Sequence, residues 1–329
     1  MSTERCLGCY RQLENGQRDY HPACSRKLFG TPVPPELPFT EQDLLDLAEQ
    51  SVLHSTTVTG AQTKLSVGLL RGKGESAPDR LTIMGVWGSH ILKPPTPSYP
   101  HMPELEDLSM HLATLAGLAT VPHGLMRMQA SSSRTSGDGA LAYITRRVDR
   151  VGKPGAKSMK KLHMEDMCQL TERQTEHKYK GSHEQIAKAI ARFARNTQFD
   201  LTFFYEQVLF SFLTGNADMH LKNFSLLKDM EGHYNLSPAY DLVPSTMLIN
   251  ETEELALTLN GRKSRITRAD FETAMRAAGL NDRAILNLFN RMKKALPKWM
   301  EFIGLGFVPK ELKEKYVALI MERSVRMGL

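Results

Sequence analysis

The chain of 329 residues is 41% hydrophobic, enough for two lobes that each bury a core without the help of disulfides. Lysine and arginine number 42 against 36 aspartates and glutamates, and the net charge of +6 is too small to select among nucleic acid, nucleotide and acidic protein partners. No apolar h-region follows the first Met, and every apolar run is far shorter than the roughly 18 residues of a membrane span. These features predict a cytoplasmic protein with no membrane role.

The first half of the chain combines a cysteine-containing segment with short strand-like runs. Residues 1–38 contain three of the four cysteines and end in a stretch with four prolines, which favour an extended linker. Helical spacing of apolar residues predicts a helix over 41–50, with Thr40 as its N-cap, and a second helix over 104–115. Up to about residue 150, strands broken by glycine and proline are predicted over 64–70, 89–92 and 141–145.

The second half is mostly helical in pattern. The spacing of apolar residues predicts helices over 163–171, 182–195, 200–214, 267–278, 281–302 and 309–327. A β-rich half followed by a helical half predicts an α+β protein with two lobes and a cleft between them. We therefore divide the chain into an N-terminal Cys/His appendix with its linker (1–38), an N-lobe (39–150) and a helical C-lobe (151–329).

The segment 215–227 carries the residues best suited to phosphoryl transfer. Asp218 and Asn223 lie five positions apart, the separation at which a kinase catalytic loop places a proton-accepting aspartate and a metal-binding asparagine. Asp241 adds a second carboxylate, and carboxylate and amide oxygens suit a hard cation such as Mg²⁺. The ammonium of Lys222 is suited to stabilise negative charge on the transferring phosphoryl group. The alternative is a polar loop that caps two helices.

Two features of the first half are suited to nucleotide phosphates. Gly60 lies among hydroxyl and amide residues ahead of a predicted strand, and it would let backbone N–H groups approach phosphates closely. A simple turn is the alternative. Lys93 ends a predicted strand, as does the lysine that holds the α- and β-phosphates in kinases, and Glu106 on the following helix would be its ion-pair partner. Taken separately, both are also typical of solvated surface charges.

Together these segments resemble the HipA-like kinases, toxins of bacterial toxin–antitoxin systems, over most of the chain. The residues that carry the resemblance are Val58–Lys64, His90–Lys93, Glu106–Ala113, Arg147–Arg150, Glu165–Gln169 with Lys178 and Tyr179, Asn216–Leu227 and Ser237–Asp241. So many motifs in the right order are hard to obtain by chance. The resemblance implies a bilobal, protein-kinase-like fold with divergent lobes, and serine/threonine kinase activity that uses ATP and Mg²⁺.

The resemblance also implies roles for single residues. It implies that Asp218 is the catalytic base, assisted by Lys222, and that Asn223 and Asp241 bind Mg²⁺. Nucleotide binding is implied for a further set, which comprises Lys93 with its partner Glu106, Gly60, Gln62, Lys64, Arg146 and His220. At the predicted hinge, Arg146 stands where longer relatives have an acidic residue, so we expect adenine recognition there to use the backbone.

Partners and regulation are implied by the same resemblance. The kinase core begins near residue 40 without the sizeable β-rich subdomain of full-length HipA-like toxins, as in the short HipT-like branch. That branch implies a HipS-like small protein in place of the subdomain, and a HipB-like antitoxin that provides the link to DNA. The implied substrate is an aminoacyl-tRNA synthetase, first the tryptophanyl and second the glutamyl enzyme. Inhibitory self-phosphorylation is expected at Thr57 or Thr59, where such proteins usually bear serines.

The N-terminal cysteines form a CxxC motif followed by an HxxC motif, and their metal-binding residues are Cys6, Cys9, His21 and Cys24. Three thiols and one imidazole are the ligand type and number of a tetrahedral structural Zn²⁺ site. The alternative is a small apolar knuckle of free thiols packed on Leu28 and Phe29, since cysteine behaves as a small hydrophobe. Cys168 lies in an apolar helical stretch and is predicted to be a core residue.

Two rival functions remain open. Asp218, Asn223 and Asp241 fix the reaction but not the acceptor, so a small-molecule or lipid-type kinase is the first alternative. The second alternative is a DNA-binding or antitoxin-tethering module that has lost catalysis. The mild basic charge favours this module, whereas the intact set of three residues and Lys93 count against it.

Overall fold

The computed structural model describes residues 4–44, 46–47, 63–72, 79–84, 87–129, 139–152, 159–249 and 252–329. The chain divides into two compact units. Unit 1 comprises Met1–Asp107 and Val121–Lys161, and unit 2 comprises Leu108–Thr120 and Leu162–Leu329. The boundaries of the appendix and lobes that the sequence suggested stay a prediction.

The strands of unit 1 form a sheet that carries its core. They are β1 (Leu65–Leu70), β2 (Arg80–Ile83), β3 (His90–Lys93), β4 (His123–Arg127) and β5 (Leu141–Arg146), and all neighbours pair antiparallel in the order β2-β1-β3-β5-β4. Alternation along β1 buries Leu65, Val67 and Leu69, as expected of a strand with one face on a core. A short ribbon follows, made of β6 (Arg150–Val151) and β7 (Lys160–Lys161).

The helices α1 and α2 begin in unit 1. Helix α1 (Pro22–Phe29) has a proline at its start and ends at Gly30, whose φ of +78° is left-handed; this is the usual asymmetry of helix ends. Residues 41–44 and 46–47 are also helical, and Thr40 Oγ1 accepts a 3.2 Å hydrogen bond from Asp43 N, which confirms Thr40 as a cap. Helix α2 (Met102–Leu115) follows β3.

One of the helices described in unit 2 is buried, and this helix is α5. The helices are α3 (Met167–Leu170), α4 (His183–Phe193), α5 (Thr197–Thr214), α6 (Arg268–Ala277), α7 (Asp282–Leu305) and α8 (Lys310–Arg326). Helix α5 is buried along almost its whole length, which explains a sequence that is apolar on all sides. Within the described ranges, no helix is both long enough and apolar enough to cross a membrane.

A small antiparallel sheet completes unit 2. Its strands are β8 (Met164–Asp166), β9 (Ser225–Lys228) and β10 (Tyr234–Leu236), in the order β10-β9-β8. The combination of antiparallel sheets and helices confirms the predicted α+β class. The predicted helices over 182–195 and beyond correspond to α4–α8, with ends shifted by a few residues.

The helix predicted over 163–171 is wrong in its first part. Met164–Asp166 forms strand β8, and only Met167–Leu170 is helical. Strand β8 depends on pairing with β9, which lies far along the chain, so local spacing does not reveal it. Cys168, at the start of the short helix, is buried, which confirms its predicted place in the core.

Candidate active site

The loop that follows α5 is fixed in unit 2 by its first residue. Helix α5 ends at Gly215, whose φ of +78° lies in the left-handed region. A Cβ atom there would lie 2.5 Å from Thr246 Oγ1 and 2.5 Å from a methyl carbon of Leu319, so a larger residue does not fit. The chain then passes Asp218 to a 3₁₀ helix, Leu221–Asn223, and enters β9. A buried helix and a strand therefore hold both ends of the loop.

Hydrogen bonds link the three predicted phosphoryl-transfer residues, and two of these bonds are made by Asn216. Its Oδ1 accepts a hydrogen bond from Asp218 N at 3.2 Å, and its Nδ2 donates to the carbonyl oxygen of Asp241 at 3.4 Å. Asn223 Nδ2 donates to Asp241 Oδ2 at 3.0 Å, across 18 positions of sequence. The structure therefore brings Asp218, Asn223 and Asp241 together in one hydrogen-bonded network.

Two details of Asn223 and Asp241 fit a hard cation. Asn223 is buried, and its Oδ1 has no hydrogen-bond partner among the described residues, although buried amide oxygens are normally paired. Asp241 has a φ of +62°, a conformation that is uncommon for residues other than glycine and that concentrates at functional sites. An amide oxygen and a carboxylate are the donor types that Mg²⁺ prefers. The residues present therefore fit a magnesium site.

Tyr179 contacts both Asp218 and His220. The hydroxyl of Tyr179 donates a 2.6 Å hydrogen bond to Asp218 Oδ1. Its ring meets the imidazole of His220 edge-on, with centroids 5.1 Å apart. Burial lowers the pKa of His220 to about 4, although the nearby Asp218 carboxylate opposes the shift. The imidazole is therefore neutral at pH 7 and adds no charge to the loop.

Lys222 makes an ion pair that the sequence did not indicate. Its Nζ lies 2.5 Å from Asp166 Oδ2. Asp166 also caps helix α3 through a reciprocal pair of hydrogen bonds with Gln169. The Asp166 carboxylate thereby connects Lys222 to strand β8 and helix α3. The predicted role of Lys222 in stabilising phosphoryl charge stays a prediction.

Lys93 and Glu106 form a buried ion pair in unit 1. Lys93 Nζ, at the end of β3, lies 2.5 Å from Glu106 Oε1 on α2, and both side chains are almost fully buried. The ammonium also lies 5.4 Å from the centre of the Tyr143 ring. A buried charge of this kind needs its partner, because desolvation of an unpaired ammonium is costly. The predicted contact of Lys93 with ATP stays a prediction.

The other predicted nucleotide contacts have varied surroundings. Lys64 is exposed immediately before β1, and Arg146 Nη2 donates to the carbonyl oxygen of Gly152 at 3.0 Å. The remaining predicted residues of the phosphate-binding loop lie outside the described residues, and they are Thr57, Thr59, Gly60 and Gln62.

The N-terminal Cys/His residues converge in unit 1. The sulfur atoms of the three cysteines and one ring nitrogen of the histidine all lie within 4.8 Å of one another; the four residues are Cys6, Cys9, His21 and Cys24. Cys6 is buried, while the other three are partly exposed. This cluster belongs to unit 1, whereas the network around Asp218 belongs to unit 2.

Sequence reasoning missed three positions of the network in unit 2. Asn216, Asp166 and Tyr179 had no assigned role, although all three stand in motifs that carry the family resemblance. Asn216 was within reach of local reasoning, because it lies two residues before Asp218. The contacts of Asp166 and Tyr179 join residues 56 and 39 positions apart, and no local signal marks them.

Residues 56–300, well over half of the chain, match the model of the HipA-like C-terminal domain. The chain belongs to this family. It is 31% identical over 255 residues to a protein named "Putative kinase Y4dM" from Sinorhizobium fredii, covering 76% of this chain and 58% of that protein. It is 24% identical over 274 residues to the serine/threonine-protein kinase toxin HipA of Shewanella oneidensis, covering 78% and 59% of the two chains.

Two solved structures have the same fold as this HipA-like chain. HipA in the Shewanella oneidensis complex with HipB and operator DNA matches with a TM-score of 0.66 at 20% identity, covering 88% of this chain and 71% of that one. The Helicobacter pylori proinflammatory kinase CtkA matches with a TM-score of 0.52 at 16% identity, covering 80% and 93%. The predicted protein-kinase-like fold is therefore confirmed. The chain spans less than two thirds of the length of the curated relatives.

Proposed function

We propose that this chain is the serine/threonine protein kinase toxin of a toxin–antitoxin system and transfers the γ-phosphoryl group of ATP to a protein hydroxyl. The observation that carries the proposal is the network in which Asn216 joins Asp218 to Asp241 and Asn223 bonds the same aspartate. Phosphoryl transfer depends on positioning and on charge stabilisation, and this network supplies a carboxylate base beside two metal-binding groups.

Asn223 Oδ1 and the Asp241 carboxylate are proposed to hold Mg²⁺. When bound, the ion offsets negative charge on the phosphates. Asn223 Nδ2 donates to Asp241 Oδ2, and Asn223 Oδ1, which has no hydrogen-bond partner among the described residues, is the amide atom proposed to bind the ion. Asn216 Nδ2 donates to the carbonyl oxygen of Asp241 and thereby fixes the backbone that carries the Asp241 carboxylate.

Asp218 is proposed to accept the proton of the attacking hydroxyl. The bond between the γ-phosphorus and the β,γ-bridging oxygen breaks, the hydroxyl oxygen bonds to phosphorus, and the hydroxyl proton passes to the Asp218 carboxylate. Tyr179 donates to one oxygen of this carboxylate and so orients the other. Lys222, paired with Asp166, is proposed to stabilise charge on the transferring group.

Lys93 is proposed to contact the phosphates of ATP. The Glu106 carboxylate offsets the charge of the buried Lys93 ammonium and restricts its position. Without such a partner, the long lysine side chain would be flexible. Further nucleotide contacts are proposed for the remaining residues implied by the family resemblance, which are Gly60, Gln62, Lys64, Arg146 and His220. A neutral His220 is suited to donate or accept a hydrogen bond, not to pair with a phosphate.

The acceptor and the partners are proposed from the HipT-like resemblance. The acceptor is an aminoacyl-tRNA synthetase of the cytoplasm, the tryptophanyl enzyme first and the glutamyl enzyme second. A HipS-like protein is proposed to cover unit 1, where Met84 and Trp87 expose large apolar side chains. A HipB-like antitoxin is proposed to provide the connection to DNA. Co-purification with the neighbour-encoded proteins tests these partners.

Self-phosphorylation at Thr57 or Thr59 is proposed as an inhibitory switch. A phosphate there would add close to two negative charges beside a segment proposed to bind the phosphates of ATP. Phosphopeptide mapping after incubation with ATP tests this, with a Thr57→Ala/Thr59→Ala variant as the control. An active enzyme without loop phosphate is expected from the variant.

The protein-kinase proposal is tested by incubating the chain with γ-labelled ATP and a cell lysate. Label in a protein band, absent with an Asp218→Asn variant, is the expected result. Label in small molecules or lipids alone would favour the rival kinase class, which uses the same network. No transfer to either class, with unchanged DNA tethering by the variant, would favour the non-catalytic module.

A further inference from the structure

The segment that contains the first three cysteines folds as a compact knuckle in unit 1. Cys9 N and Tyr10 N both donate to the carbonyl oxygen of Cys6, at 3.4 and 2.8 Å, and this tight turn places the thiols of Cys6 and Cys9 side by side. His21 is the N-cap of α1, and Cys24 lies in the first turn of that helix. A turn and a helix start thus bring four ligand groups to one point.

The spacing of these groups matches a tetrahedral metal site. With Zn–S near 2.3 Å and Zn–N near 2.0–2.1 Å, sulfur and nitrogen ligands lie roughly 3.5 Å apart. Cys9 Sγ and His21 Nδ1 are 3.3 Å apart, and all four ligand atoms fall within 4.8 Å of one another. The arrangement is closed, because four protein ligands leave no position open for a substrate.

The imidazole is oriented for metal binding. His21 Nε2 lies 3.0 Å from the carbonyl oxygen of Gln12, which can only accept a hydrogen bond. Nε2 therefore carries the proton, and the lone pair of Nδ1 is directed at the sulfur cluster. A carbonyl behind the non-binding nitrogen is the usual way in which a zinc-binding histidine is held.

The knuckle is bonded to the elements that carry the Lys93–Glu106 ion pair. Tyr10, which directly follows Cys9, donates from its hydroxyl to Asp107 Oδ2 at 2.8 Å, and Asp107 is the residue after Glu106. On the other side, the ring of His90 in β3 bonds the carbonyl oxygen of Leu28 in α1 through Nε2 at 2.9 Å. Both sides of the ion pair are thus connected to the cluster.

A third connection reaches strand β4. Leu125 N donates to the carbonyl oxygen of Leu7 at 3.1 Å, and the hydroxyl of Tyr20 donates to the carbonyl oxygen of Leu125 at 2.6 Å. Leu7 lies between Cys6 and Cys9, and Tyr20 directly precedes His21. The residues that touch the sheet are therefore direct neighbours of the proposed ligands.

We propose that Cys6, Cys9, His21 and Cys24 bind one structural Zn²⁺ ion that holds the N-terminal knuckle on β3, β4 and α2 and so braces the Lys93–Glu106 ion pair. Three thiols and one imidazole that converge within 4.8 Å supply the ligand type and number of a closed tetrahedral zinc site. A disulfide would use two of the three sulfurs, whereas all three cysteines are free in the structure. In a metal-free knuckle, the other alternative, the Cys9 thiol would donate to His21 Nδ1, and the metal analysis below separates this arrangement from a zinc site.

Metal analysis of the purified full chain tests the site. We expect one zinc per chain in the wild type, and a loss of zinc affinity of about tenfold or more in Cys9→Ser and Cys24→Ser variants. Cys168→Ser is the matched control, because this buried thiol lies in unit 2. Since the cysteine variants can fail to fold, Co²⁺ is also added to metal-stripped wild type, where thiolate-to-cobalt absorption is expected. Absence of zinc and of this absorption, or an intact mass that shows a disulfide, would overturn the site.

Hydrogen exchange of the wild type tests whether zinc stabilises the elements that carry the Lys93–Glu106 ion pair. After removal of zinc, amides of β3 and of residues 102–107 are expected to exchange at least about tenfold faster, while those of 216–223 are unchanged. Equal exchange in β3 with and without zinc would contradict the stabilising role of the ion for the Lys93–Glu106 pair but would not contradict the metal site. Neither readout depends on phosphoryl transfer, so both remain valid if the kinase proposal fails.

Discussion

The hydroxyl of Tyr179 donates a 2.6 Å hydrogen bond to Oδ1 of Asp218, the proposed catalytic base. Tyr179 is 44% exposed, and therefore its removal should cost little stability. The bond leaves one carboxylate oxygen for the substrate hydroxyl and restricts rotation of the carboxylate. We therefore propose Tyr179 as a positioning residue for Asp218, and its contribution should appear in the rate of transfer.

Replacing Tyr179 by phenylalanine is expected to lower the single-turnover rate of phosphoryl transfer by roughly 3- to 30-fold, since a hydrogen bond to a charged group contributes about 1.5–3 kcal/mol at most and solvent replaces part of it. ATP affinity should not change. Tyr234→Phe is the control, because it removes an exposed tyrosine hydroxyl that bonds His163 elsewhere in unit 2. An unaltered rate in Tyr179→Phe would remove the positioning role.

Asp241→Asn is expected to weaken ATP binding by about tenfold or more in the presence of Mg²⁺, because a neutral amide replaces a charged metal ligand. In EDTA, the affinities of variant and wild type should be equal. Calorimetric titration under both conditions measures the difference. Asp282→Asn, which removes an exposed carboxylate paired with Arg276, serves as the control. An equal loss of affinity in EDTA would assign Asp241 a structural role instead.

Glu106→Gln is expected to lower the free energy of unfolding by about 3 kcal/mol, because the buried ammonium of Lys93 loses its carboxylate. A Lys93→Met/Glu106→Met double variant should recover much of this stability, since it removes both charges, but ATP affinity should stay low. Denaturant unfolding and nucleotide titration separate the two effects. Wild-type ATP affinity in the double variant would exclude Lys93 as a phosphate contact.

Glu206 should make stability depend on pH. Burial raises its pKa to about 7, although the Arg291 guanidinium, 2.7 Å away, opposes the shift. The unfolded chain releases this proton near pH 4.5, so the contribution of the group is fully present below that pH and is lost as the pH rises through about 7. Over this interval, the wild type should lose roughly 1–3 kcal/mol of unfolding free energy relative to Glu206→Gln. Parallel curves for the two proteins would contradict the assignment.

Spacing predicted the parts of the molecule that depend on near neighbours. The helices from α4 onward were predicted from their apolar residues, and the separation of Asp218 and Asn223 predicted a catalytic loop, which stays a prediction. Lys93 and Glu106 were paired because a kinase places its phosphate-binding lysine on a strand and the partner glutamate on the following helix. In both pairs, the two residues lie in the same loop or in consecutive secondary-structure elements.

Long-range pairing accounts for what the sequence did not reveal. The apolar residues around Met164 and Cys168 fit a helix, yet Met164–Asp166 becomes a strand because β9 is available beside it. The ion pair between Asp166 and Lys222 depends on that same pairing. The strands β2, β4 and β10 were also missed, since each is short and depends on hydrogen bonds to a neighbouring strand.

The most direct test of the kinase account is the single-turnover rate of phosphoryl transfer by Asp218→Asn, measured beside its affinity for ATP with Mg²⁺. The amide keeps the shape of the carboxylate and can still accept the hydrogen bond from Tyr179, but it cannot take the proton of the attacking hydroxyl. We predict a loss of rate of at least about a hundredfold with ATP affinity unchanged. Transfer within roughly tenfold of the wild-type rate would contradict the assignment of Asp218 as the catalytic base.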